Sequence, residues 1–457
     1  MNIAISCRPR SLRFWRRYSS ILLAGLLALT AMAPAATARD VQKLTSPAGI
    51  SIWLVEDHGV PLVALGFALR GGSLLDPPGK EGVGSLYAQM MDEGAGDLDA
   101  NTFKSRLASL GAQLSFSVSQ RALTGGLVTL KKNVEEAAQL LKLALHEPRL
   151  EEAEFERTKR QAVAFLAFEQ RKPERLAVRK FYEAAFEGHP YANAVNGTAE
   201  SLRTLTVEDV RSQGAKLIDA SQLHVVIVGA IDAAEATRLV DEVFSELPSG
   251  QGKQHTPAAI PPAKISKNIS SPSGHAVATA VFALPMPRLG DQHFFTAMAL
   301  NHILGSGNFD AWLTEEVRVK RGLTYSISSS IIANPTTSFS LGVLTTKPEN
   351  MDQALKAVRA VYQRMKTNGP TQRDLSNAKN SLNGAYLLGI DTSAKLANQL
   401  LGLWVDGLGP DYASIRRSGL NRVSAADAKD IAQRVFDPDE IRFLIMRPAN
   451  QGSAKPN

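Results

Sequence analysis

The chain repeats itself, and that repeat constrains its fold more than any single motif does. Gly111-Ala112-Gln113-Leu114-Ser115-Phe116-Ser117 alternates in polarity as a half-buried strand does. A second strand follows from Gly125 to Leu130, and a helix begins near Asn133. The same order returns with Gly322-Leu323-Thr324-Tyr325-Ser326-Ile327-Ser328, then Ser338 to Thr345, then a helix after Pro348. The opening glycines are 211 residues apart and Ala137 and Ala354 of the following helices are 217 apart, so the second copy has the longer hairpin. In both copies a helix runs into the first strand and stops at the glycine, as a left-handed C-terminal cap requires. The helix after the hairpin is amphipathic each time, with Val134, Ala137, Ala138, Leu141 and Leu145 forming one stripe and Met351, Ala354, Leu355 and Val358 the other. Such stripes need a sheet to cover. The fold class is therefore α+β: an antiparallel sheet with helices packed on one face, present twice.

A length of 457 residues agrees with two cores rather than one. Between the copies, Pro248-Ser249-Gly250-Gln251-Gly252 and the prolines at 257, 261 and 262 lead to Ser273-Gly274 without an apolar period, which marks a linker over 248–273. The domains then span 39–247 and 274–450. A long helical stretch from about Glu151 to Phe186, with Ala162, Phe165, Leu166 and Phe168 on its apolar side, belongs to the first domain.

The N-terminus carries Arg8, Arg10, Arg13, Arg16 and Arg17, an apolar run from Ile21 to Ala33, and Ala36-Thr37-Ala38 ahead of Arg39-Asp40. That is the order of a cleaved signal peptide over 1–38. The run is too short for a membrane anchor, which needs roughly 20 apolar residues. Tyr18-Ser19-Ser20 after Arg16-Arg17 fits a twin-arginine signal poorly, so ordinary secretion to the periplasm is the expectation. Cleavage takes five of the 51 basic residues and none of the 44 acidic ones, leaving 46 against 44, so the net charge falls from +7 to +2. With it goes the argument for a nucleic-acid partner. Cys7, the only cysteine, leaves as well, and the mature chain has no disulfide, thiolate metal site or cysteine nucleophile.

Gly71-Gly72-Ser73 followed by Pro77-Pro78-Gly79-Lys80-Glu81-Gly82-Val83-Gly84 is similar to the run that leads into the active-site helix of peptidase family M16. This is the pitrilysin and mitochondrial processing peptidase-like group, with a LuxS/MPP-like metallohydrolase fold. His189-Pro190-Tyr191, Gly197-Thr198, Ser201-Leu202 and Leu205-Thr206 fit the same family. In the second half, Leu304-Gly305-Ser306-Gly307-Asn308-Phe309 and Arg318-Val319-Lys320-Arg321-Gly322-Leu323-Thr324-Tyr325-Ser326 resemble its second-domain signature. Ala378-Lys379 and Thr392-Ser393-Ala394-Lys395-Leu396-Ala397-Asn398-Gln399-Leu400 fit too, so the likeness runs in order through nearly all of the mature chain.

An active M16 subunit carries H-x-x-E-H on a helix, where two histidines four apart bind zinc from one face and the glutamate is the general base. The corresponding window here is Ser85-Leu86-Tyr87-Ala88-Gln89. The family's third ligand, a glutamate further along, falls at Ala164 or Phe165. Ser85, Ala88, Gln89 and Phe165 are thus degenerate positions, and no metal is expected in this chain. Its histidines, at 58, 146, 189, 224, 255, 275, 293 and 302, include no pair three to five apart that could serve instead. His58 beside Glu56-Asp57 and His302 on an apolar helix read as ordinary surface and core histidines. Asp92-Glu93 reads as a solvated helix end rather than a hard-cation site.

Arg318 and Tyr325 remain, seven apart, with Gly322 ending the helix between them and Tyr325 falling on the next strand. By spacing alone, an arginine near a helix C-terminus and a tyrosine on a half-buried strand are unremarkable. The resemblance implies more: Arg318 would donate hydrogen bonds to substrate carbonyls, and the Tyr325 phenol would steady a tetrahedral oxyanion. It also implies a split site, in which an H-x-x-E-H subunit holds the zinc and this chain completes the site in trans as half of a heterodimer. An unfolded peptide would be held by strand addition. Two other readings stay open: a non-catalytic peptide-binding or scaffold subunit that keeps the pair for folding, and a serine hydrolase, for which Ser85 has no histidine motif to activate it. Gly305-Ser306-Gly307 is either a helix-connecting turn or a flexible mouth, and no Gly-Lys-Ser/Thr follows it to make a phosphate loop.

Overall fold

Strands buried on both faces must sit in the middle of a sheet, and each half of the chain has such strands. The first sheet contains β1 (Gln42–Thr45), β2 (Ser51–Glu56), β3 (Leu62–Arg70), β4 (Gln113–Val118), β5 (Ala122–Leu130) and β6 (Leu223–Gly229), in the order β1-β2-β6-β3-β5-β4. The second contains β7 (Ser266–Ser271), β8 (Ala278–Pro285), β9 (Ser326–Ala333), β10 (Ser338–Thr346) and β11 (Arg442–Pro448), in the order β7-β11-β8-β10-β9. The run β2-β6-β3-β5-β4 is the run β7-β11-β8-β10-β9, so the duplication in sequence is a duplication of topology. The computed structural model describes residues 40–250, 262–271, 275–306 and 308–449. The signal peptide over 1–38, Gly307, and 251–261 and 272–273 of the linker lie outside the described residues.

The α+β reading with two related domains holds, with four corrections. Each sheet is mixed, because β2 pairs with β6 and β7 with β11 in parallel. The linker over 248–273 gives up Ser266–Ser271, which alternation could not flag because the strand is mostly exposed and polar. The helical stretch from 151 to 186 is two helices, Glu152–Glu169 and Pro173–Ala185. Proline lacks an N–H and disfavours a helical residue before it, and Lys172 is accordingly extended at φ −91° and ψ 108°.

Helices cover both faces of both sheets, where the amphipathic stripes indicated only one. On the inner face of the first sheet, Val83–Met90, Val134–His146 and Ala233–Phe244 close a core around Leu65, Phe67 and Leu127. On the inner face of the second, Phe294–Gly305, Met351–Asn368 and Ala425–Val435 do the same around Phe282 and Leu344. The outer faces are covered by exchange. Ser393–Val405, from the second half, packs Leu396, Ala397, Leu400 and Leu401 on Val226 and Val228 of β6. Pro173–Ala185, from the first half, packs Leu176, Ala177 and Phe181 on Val281 and Ala283 of β8 and Phe339 of β10. Each half therefore lends the other a helix. At the end of the Ser393–Val405 helix, Arg70 Nη2 donates to the Trp404 carbonyl at 2.8 Å, and Arg121 donates to the Val405 carbonyl and, at 2.5 Å, to the Asp406 carboxylate. Carbonyls with no partner inside their own helix are thus capped by cations from the opposite half.

One packing device recurs at equivalent places. Phe67 of β3 lies opposite Gly125 of β5, and Phe282 of β8 lies opposite Gly342 of β10. A methyl group on either glycine would come within 2.2 Å of the Phe67 ring or 2.1 Å of the Phe282 ring. Gly342→Ala should lower stability by about 2 kcal/mol through overpacking, read as a lower urea midpoint with unchanged slope. An unchanged midpoint would mean that the ring has room to move.

Candidate functional site

The degenerate window lies on the Val83–Met90 helix, whose first turn is held from a distance. The Asp76 carboxylate accepts from the Gly82 N–H at 2.9 Å, the Gly84 N–H at 3.2 Å and the Gln213 amide at 3.1 Å. Burial pushes the Asp76 carboxyl up to about 7, against the pull of those backbone donors. On the helix, the buried Ser85 hydroxyl donates to Asn196 Oδ1 at 2.9 Å, and Gln89 folds back to donate to Ser85 Oγ at 3.2 Å. Ala88 is buried, and the Glu152–Glu169 helix packs alongside, with Phe165 53% exposed.

These residues do not fit a zinc ion. A methyl and a phenyl group cannot coordinate, and the Ser85 hydroxyl is already engaged. Asp92 and Glu93, expected at a solvated helix end, are partly buried instead, and Glu93 is committed elsewhere. Burial tends to raise Glu93, but hydrogen bonds from Lys104 and Arg157, both at 2.6 Å, hold it below its ordinary range. Restoring the motif tests the alignment: S85H, A88E, Q89H and F165E combined should give a chain that takes up one zinc with a calorimetric signal absent from the unaltered chain. No uptake by a folded variant would show that the window is misplaced.

The Arg/Tyr segment is built by an unusual turn. Thr314–Val319 is a π-helix, and the chain leaves it at Gly322, with φ 60°. The Gly322 N–H donates to the Arg318 carbonyl and the Leu323 N–H to the Val317 carbonyl, both at 3.0 Å. The buried Thr324 hydroxyl then donates to the Thr345 carbonyl at 2.6 Å, fixing the entry to β9. Tyr325 sits one residue before β9 rather than on it. It is 81% exposed and makes no hydrogen bond among the described residues. Lys320 pairs with Glu315 and Glu316, and Arg321 pairs with Glu316. Arg318 has no carboxylate partner among the described residues; its guanidinium lies 5.1 Å from the centre of the exposed Phe309 ring.

One hydrogen bond links the elements that follow the two half-sites. The Thr345 hydroxyl donates to the Glu174 carboxylate at 2.7 Å, and Thr345 is the register partner of Ser326, next to Tyr325. Glu174 opens the helix that directly follows Glu152–Glu169. Sequence reasoning singled out both segments but gave no sign of this link. It also passed over His224, a fully buried side chain of β6 that stacks on Trp404 at 5.0 Å and meets Trp53 edge-on at 4.6 Å. His58 lies exposed, 4.0 Å from Glu56. His302 lines a polar surface cleft of about 440 Å³ with Asp310 and Arg373, and burial lowers its pKa.

Comparison with known proteins identifies the family. Residues 51–199 match the family model described as Insulinase (Peptidase family M16), and residues 204–382 match the one described as Peptidase M16 inactive domain. The chain belongs to peptidase family M16. It is 25% identical to the non-peptidase homolog YmxG of Helicobacter pylori, over 86% of this chain and 90% of that one. It is 21% identical to the mitochondrial-processing peptidase subunit beta of Lentinula edodes, over 86% of each. Among solved structures, the M16 inactive domain from Pseudomonas fluorescens superposes with a TM-score of 0.82 at 25% identity, covering 91% of this chain and all of that one. Where active members of this family carry the zinc motif, this chain carries Ser85, Ala88 and Gln89.

Proposed function

We propose that the chain is the exported, non-zinc subunit of a heterodimeric M16 peptidase and acts in the periplasm. Its partner carries the H-x-x-E-H motif with its zinc, and this chain supplies Arg318 and Tyr325 in trans. The observation that carries the reading is the state of the pair: an arginine without an ion pair beside ion-paired cations, and an exposed phenol without a hydrogen bond, flanking one capped turn. Donors left open in this way are available to a developing oxyanion. The outer edges of β4 and β9 are each free of a strand neighbour among the described residues, which suits a peptide added in extended form.

Co-purification from periplasm tests the pairing. The expected result is an inactive, zinc-free chain that gains peptide cleavage with an H-x-x-E-H partner. A chain that recovers no such partner, or whose complex cleaves nothing, fails it. The description of the Helicobacter relative as a non-peptidase homolog favours a second reading, a peptide-binding scaffold, in which replacing Arg318 or Tyr325 would leave function intact.

A further inference from the structure

Four aromatic side chains are strongly exposed among the described residues, and all four lie at the two half-sites. Phe165 and Phe168 project from the helix where a metal ligand would sit, and Phe309 and Tyr325 belong to the segment that carries Arg318. Single exposed apolar residues are ordinary, but their confinement to two linked segments is not. Phe165 and Phe168, three apart, share a helix face. Lys172 Nζ lies 4.6 Å from the Phe168 ring centre, and Glu174, two residues on, is joined to Thr345, whose register partner Ser326 follows Tyr325.

The surroundings are basic. Arg160, Arg171 and Arg175 are exposed near the Phe165–Phe168 face, with Arg318 on the opposite segment. Of the local acids, Glu169 is engaged with Lys172 at 2.5 Å and Arg175 at 3.5 Å, and Glu174 with Thr345, while Asp310, exposed beside Phe309, has no ion pair among the described residues. We propose that this aromatic surface, standing where an active relative would hold its metal, selects extended peptides in which a bulky apolar residue is flanked by carboxylates. The inference rests on the peptide-handling reading above but not on cleavage.

Fluorescence anisotropy with the full chain and a labelled host peptide tests it. The central residue of the peptide is phenylalanine, leucine, serine or lysine, flanked by glutamates or glutamines. Phenylalanine and leucine peptides with glutamate flanks should bind best. F165S combined with F168S should weaken them by about tenfold, through loss of apolar contact, and weaken the serine peptide by less than about twofold. Leu388→Ser, at an exposed apolar position outside the half-sites, should change nothing, and unchanged thermal unfolding of the double variant shows that its fold is intact. Equal affinity across the peptides, or a double variant that keeps the apolar preference, overturns the inference, as does an unaltered chain that binds none of them. The in-trans reading is judged separately by cleavage in the complex, so either proposal can fail alone.

Discussion

Replacing Tyr325 by phenylalanine should slow cleavage by the assembled peptidase by about 10²–10³-fold, the usual cost of losing one oxyanion donor. The ring and its contacts remain; only the hydroxyl goes. Because that hydroxyl makes no hydrogen bond among the described residues, thermal unfolding should be unchanged. The loss should fall on kcat more than on KM if the phenol acts in the transition state. Arg318→Gln should raise KM as well, since a guanidinium that binds substrate carbonyls contributes before the transition state. Arg318→Lys should rescue only in part, because an ammonium lacks the planar fork. Steady-state kinetics on the purified complex decides the matter, and normal turnover by both variants would remove the pair from the mechanism.

Acid should loosen the seam between the two halves through His224. Burial lowers its pKa from 6.5 to about 4, with the Arg70 cation adding to the effect, and Nδ1 lies 3.2 Å from the Ser51 hydroxyl. A histidine whose folded pKa is depressed contributes stability that is present above pH 6.5 and lost as pH falls toward 4. That is about 3 kcal/mol at roughly 1.36 kcal/mol per pH unit. Asp76 works in the opposite direction. Its carboxyl is raised from 3.8 to about 7, so the folded state holds its proton more tightly and gains stability as pH falls across that interval. The unaltered chain therefore reports the sum. Urea unfolding of His224→Gln between about pH 4 and 7 isolates the histidine: its stability should fall less on acidification than that of the unaltered chain. Parallel curves would mean that the imidazole keeps its ordinary pKa.

Local order was legible because it rests on short periods. Alternation marked β4 and the order of the repeat marked β5, β9 and β10, the glycines at 111 and 322 do cap at φ 57° and 60°, and the amphipathic stripes after both hairpins are buried apart from the partly buried Leu355. The replacement of the zinc motif by Ser85, Ala88 and Gln89 was legible too, since it is a matter of residue identity. What periodicity does not carry is the partner at long range. Arg121 reaches Asp406 across 285 residues and Thr345 reaches Glu174 across 171, and neither pairing leaves a mark on the sequence around it. The exchange of helices between halves, the seam around His224, the open state of Arg318 and the link between the elements that follow the two half-sites are all decided at that level. A side chain's chemistry is set by its own atoms, but its burial and its partners depend on which distant surface folds against it.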